Sequence, residues 1–128
     1  MFVRFVVHRL DPISGKRTGI FQIVDRLRRS GAVEAIDDER LAAALAWFGE
    51  HLDAPDRFAR GRSPHRAPRA ICWFKASASE HLARMREIAR ILESYGMPVE
   101  MITSRRPGYV TYEDAYQLAA CPFSDTPT

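Results

Sequence analysis

One stretch constrains the fold of this chain more than any other: Ala70 to Ser104 reads as strand, helix, strand. Ala70-Ile71-Cys72-Trp73-Phe74-Lys75 is a short apolar run. Ser77 to Tyr95 carries the period of an amphipathic helix, and Gly96-Met97-Pro98 stops it before Val99-Glu100-Met101-Ile102-Thr103 begins a second strand. Two strands joined by a helix of this length should run parallel, with a right-handed crossover. In the helix, Leu82, Met85, Ala89 and Leu92 form the apolar stripe, widened by Ile88 and Ile91. Arg84, Arg86, Glu87, Arg90 and Glu93 fill the outer face. Ser77 and Glu80 have capping-box spacing.

The remaining elements pack onto that unit. Phe2 to Leu10 alternates, with Val3, Phe5 and Val7 on one face and Phe2, Arg4, Val6, His8 and Leu10 on the other, so the second face is mixed. Asp11 to Gly15 turns the chain, and Thr18 is placed to cap a helix from about Ile20 to Arg29. A second helix runs from about Asp37 to Leu52, capped by Asp37 or Asp38, with Leu41, Leu45, Phe48 and Leu52 as its stripe and Trp47 at the rim. Pro107-Gly108 marks a turn into Tyr109-Val110-Thr111-Tyr112. Glu113-Asp114 is a tight connection, and Tyr116 to Ala120 is the last strand. The expected order is β-α-α-β-α-β-β-β: an α+β fold with a mixed sheet and helices mainly on one face. Residues 1–123 form one domain, of which 57–69 is an arginine-rich loop, and 124–128 are a flexible tail.

Charge is concentrated in that loop. The chain carries +3, yet Arg57, Arg60, Arg62, Arg66 and Arg69 occur within thirteen residues that hold no acid, so the rest is net acidic. Such a segment suits a phosphate-bearing partner, the alternative being a solvated, proline-broken loop. Phe58 and His65 are interleaved with its arginines, and Tyr109 and Tyr112 follow Arg105 and Arg106. Arginine with stacking rings is a single-strand-binding composition, although it matches no named nucleic-acid module.

Cys72 and Cys121 sit among apolar residues of two candidate strands and read as buried free thiols; a disulfide would require those strands to be neighbours. No histidine pair accompanies them, so neither a metal site nor a cofactor is expected. Arg4, His8 and Arg9 interrupt the N-terminal apolar run, which excludes a signal peptide. No apolar stretch is long enough to span a membrane, and a cytoplasmic protein is expected.

Gly15-Lys16 invites a P-loop reading and fails it, because Leu10 and Arg17 stand where the motif needs glycine and a hydroxyl. Lys16 and Arg17 do precede a helix N-terminus, where an anion is favoured. If the first strand ran parallel to Ala70–Lys75, His8 and Arg9 would meet Lys75 and Ser77 at one sheet edge and form a cationic site there. For catalysis, His8, His65 and His81 are candidate bases with Glu113 or Asp114 as orienting acids; His51 suits the end of its helix dipole.

Several pieces, Arg62-Ser63-Pro64-His65, Trp73-Phe74-Lys75, Glu80-His81 with Met85-Arg86-Glu87, Arg106-Pro107-Gly108-Tyr109, and Tyr112-Glu113-Asp114 with Pro122-Phe123, give the chain its one resemblance. It resembles a family of small bacterial proteins of about this length to which no activity is attached. The resemblance implies a compact bacterial domain and no mechanism. Where that family has further acids in the last strand, this chain has Ala115 and Cys121.

The reading is a small binding module for an anionic, phosphate-bearing partner, nucleic acid or nucleotide, through His8, Arg9, Lys16, Arg17, the five loop arginines, His65, Lys75 and Ser77. The alternatives are a small transferase or hydrolase using His8, Lys75 and Glu113, and an antitoxin- or immunity-type protein–protein module using Tyr109 to Tyr116. The mixed second sheet face leaves room for a homodimer.

Overall fold

The structure, a computed structural model of the chain, describes residues 1–10, 17–53 and 70–128. Its strands are β1 (Phe2–Leu10), β2 (Arg17–Gly19), β3 (Ile71–Lys75), β4 (Val99–Ser104), β5 (Tyr109–Glu113) and β6 (Gln117–Cys121). Its helices are α1 (Ile20–Arg29), α2 (Ala35–His51) and α3 (Ser79–Ser94). The α+β class and the expected element order hold, with β2 added as a three-residue strand before α1.

β1 is the centre of the six-stranded sheet. β4 lies along one edge of it from Phe2 to Val7, while β3 and β2 share the other edge, β3 opposite Phe2 and Val3 and β2 opposite Val6 and Leu10. β6 and β5 follow beyond β3. Every pairing between described strands is antiparallel. β3 and β4 therefore run parallel to each other, as their helical connection demands, but β1 is inserted between them. In that place β1 turns the apolar side of its alternation, Val3, Phe5 and Val7, into the core shared with the helices.

Those three residues, with Phe74, meet all three helices in one core that includes Ile20, Val24, Leu41, Phe48, Leu82, Met85, Ile88 and Leu92. Phe48 joins the layers, 5.1 Å from both Phe21 and Trp47 and 6.0 Å from Phe74. The opposite sheet face carries a second buried cluster, Val6, Ile71, Trp73, Ile102, Leu118 and Ala120. This face is more apolar than the alternation of β1 alone suggests, because β3, β4 and β6 supply most of it.

Helix ends differ from the sequence expectation. Thr18 is fully buried in β2 and the N-cap position of α1 falls on Gly19. α2 starts two residues early, at Ala35, and its acids serve contacts across the structure instead of capping. Asp38 pairs with Arg28 at 2.8 Å. Asp37 accepts a 2.7 Å bond from the Tyr95 hydroxyl, which itself accepts from the Glu34 N–H. The Ser77–Glu80 capping box does not form: Ala78 N–H bonds Lys75 O, and this turn puts Ala78 at the N-cap of α3. Gly31 and Gly96, at positive φ, end α1 and α3 as the sequence predicts.

No disulfide joins Cys72 and Cys121, and they are less buried than expected: Cys72 is exposed and Cys121 half-buried. β3 and β6 are neighbours, with Cys72 opposite Ala119. Thr128, in the segment expected to be a loose tail, accepts bonds from Arg17 N and Arg4 Nη1, both at 3.3 Å. No described helix is long and apolar enough to cross a membrane.

Candidate functional site

The antiparallel register separates the two halves of the proposed sheet-edge site. Phe2 pairs with Lys75, so His8 lies six residues further along β1, roughly 20 Å away at the rise of a strand. The shared His8–Arg9–Lys75–Ser77 edge is thereby excluded, and with it a catalytic set that joins His8 to Lys75 and Glu113. Each half has its own partner. Lys75 Nζ sits 2.7 Å from Glu113 Oε2. His8 Nε2 lies 3.3 Å from Glu100 Oε2, and Arg17 Nη1 lies 2.7 Å from that same oxygen. The structure thus brings His8 and Arg17 together, but around a carboxylate of their own. Arg9 is placed through its backbone in β1. Lys16, His65 and the arginines at 57, 60, 62, 66 and 69 lie outside the described residues.

A different set of cations does converge. A groove of about 530 Å³ between α2 and α3 is lined by Arg40, Ala83, Arg86, Glu87, Arg90 and Ile91. Arg86 and Arg90 are one helical turn apart on α3, and Arg40 faces them from α2. None of the three makes an ion pair among the described residues, whereas Arg17, Arg28, Arg29 and Arg84 each have a carboxylate within 4 Å. Among the described residues Glu87 is the one acid in the lining, and it makes no ion pair either. The sequence shows Arg86 and Arg90 at i, i+4 on the outer face of the helix. It gives no sign that Arg40 stands beside them, since this depends on how α2 crosses α3.

A second cationic recess, of about 410 Å³, involves Arg105, Arg106 and Phe123 with Asp125. The Arg106 guanidinium lies 5.3 Å from the Phe123 ring centre, and Tyr109 packs edge-on against that ring at 4.7 Å. The combination of arginine and rings expected near Arg105 is therefore formed with Tyr109, and Phe123 joins it. Tyr112 is turned elsewhere. Its hydroxyl donates to Asp114 Oδ2 at 2.7 Å, and this bond pushes its pKa up to about 12.

Asp114 also accepts from the backbone N–H of Tyr116 and Gln117 and from Gln117 Nε2. Burial disfavours its charge, but these four hydrogen bonds outweigh that and hold its carboxyl below the usual carboxylate range. The residue fastens the β5–β6 turn, and among the described residues no histidine is hydrogen-bonded to it. No group of three or more metal-ligating side chains occurs among the described residues. Comparison with protein-family models, with curated proteins and with solved structures finds no match to this chain.

Proposed function

We propose that the protein is a binding module for an anionic, phosphate-bearing partner, with nucleic acid the sharpest form of that reading. The observation that carries it is the groove in which Arg40, Arg86 and Arg90 line one surface without an acidic partner among the described residues. With Glu87 as the one acid beside them, the three guanidinium groups leave the groove net positive, and like charges side by side repel one another. A phosphate between them relieves that repulsion and accepts bidentate hydrogen bonds. The Arg106–Phe123–Tyr109 stack adds a place where a base can pack on a ring. The loop arginines at 57, 60, 62, 66 and 69 extend the same charge in sequence.

The test is fluorescence anisotropy of short labelled DNA and RNA against rising salt. It compares wild type with a triple variant carrying Ala at Arg40, Arg86 and Arg90 and with one carrying Ala at the five loop arginines. Wild-type affinity should fall steeply with salt. The groove variant should lose about 2 to 3 from the log–log slope if all three arginines contact phosphate. Absence of binding at low salt overturns the nucleic-acid form. Loss of slope confined to the loop variant overturns the groove as its site.

A further inference from the structure

We propose a second binding site, of opposite character: the cavity at the start of α3 takes a small planar cation of the guanidinium class. The cavity encloses about 490 Å³. Trp47, His81 and Tyr116 supply rings to its wall, and Glu50, Asp53, Glu80 and Asp114 supply carboxylates. Among the described residues, no lysine or arginine lines it.

The rings are already arranged as a stack. His81 is only 4% exposed; it packs face to face with Tyr116 at 4.5 Å and edge-on to Trp47 at 4.8 Å. Trp47 attracts a guanidinium within this chain, for Arg84 lies 4.6 Å above its ring. Tyr116 offers the corresponding surface to a ligand.

Hydrogen-bonding polarity points the same way. His81 Nε2 lies 2.9 Å from the His51 carbonyl, so it carries the hydrogen. In the neutral ring Nδ1 is then an acceptor, and it has no hydrogen-bond partner among the described residues. His51 Nδ1 likewise faces the Trp47 carbonyl at 2.8 Å, which leaves Nε2 as an acceptor. With the four carboxylates, these acceptors and the ring faces make up one side of the wall, while Ser77, Ser79 and the first turn of α3 form the other. A guanidinium has donors alone, five in one plane, and fits that pattern where an anion does not. Glu80 is drawn toward Arg84 at 3.7 Å, and Asp114 is held by its turn, but Glu50 and Asp53 make no ion pair among the described residues. The N-terminal end of α3 favours negative charge, and Glu80 in its first turn meets that preference.

The experiment is a two-dimensional amide and indole NMR titration with methylguanidinium. Sodium chloride is the ionic-strength control, and methylammonium and inorganic phosphate are comparison arms. Saturable shifts of the Trp47 indole and of the Tyr116 and Gln117 amides are expected. Asp53→Asn and Tyr116→Leu should each weaken binding about fivefold, the size of one exposed charge or cation–π contact. Glu50→Gln, on an exposed helical position, provides a variant whose fold is not at risk and should show a similar loss. Shifts no larger than those of sodium chloride, equal shifts with phosphate, or affinity unchanged in all three variants would overturn the proposal. Equal affinity for methylammonium would overturn the planar-cation assignment.

Discussion

The Tyr112 hydroxyl donates a 2.7 Å hydrogen bond to Asp114 Oδ2, and the two residues hold each other's protonation state. That bond lifts the phenol to about 12, with burial and the Asp114 charge adding to it. The folded value is raised above the unfolded one of about 10. The stability contributed by this neutral phenol is therefore fully present below pH 10 and lost as pH rises through about 12. A tyrosinate absorbance titration of the folded protein should show a late phase near pH 12. Tyr112→Phe should remove that phase, and Asp114→Asn should move it toward lower pH.

Asp114 gives the opposite pH dependence. Its folded pKa lies below the unfolded value of about 3.9, so its contribution is present above that pH and disappears as pH falls through the folded value. Asp114→Asn should cost on the order of 1 to 2 kcal/mol at neutral pH, discounted for its partial exposure, because backbone donors at Tyr116 and Gln117 lose a charged acceptor. Urea unfolding of both proteins should show the gap narrowing as pH falls below 4.

Gly108 cannot be replaced. Its φ is 147°, and a Cβ there would meet the Cys121 carbonyl oxygen at 2.0 Å, so backbone on backbone would have to move. Gly108→Ala should cost more than about 2 kcal/mol and disrupt the β5–β6 pairing. Gly31→Ala, also at positive φ but with open space around it, should cost about 1 kcal/mol. Thermal melts of the two variants, with amide exchange of residues 109–121, give the comparison.

Phe48 ties the helical layer to the sheet. It is 4% exposed and touches rings from α1, α2 and β3. Phe48→Ala should cost about 3 to 5 kcal/mol. The same substitution should lower near-ultraviolet circular dichroism, since Trp47 loses the ring it packs against.

Every element of this protein except the three-residue β2 was legible in the chain. The periods of two and 3.6 residues, Gly31, Gly96 and Pro107-Gly108 are local signals, and α1 begins and ends at the residues they indicate. The faces of β1 were legible too, because alternation assigns Val3, Phe5 and Val7 to one side whatever their partner is. Tertiary structure decided everything that depends on which elements are neighbours. The insertion of β1 between β3 and β4 is long-range pairing, and no local pattern encodes it. That pairing parted His8 from Lys75 and gave each a carboxylate, Glu100 and Glu113, far away in sequence. The crossing of α2 over α3 set Arg40 beside Arg86 and Arg90, and it laid Trp47 and His51 against His81. A side chain's type is written in the chain. The charges and rings it meets depend on packing, where apolar area buried by the whole sheet and its helices outweighs the preference of any single pair.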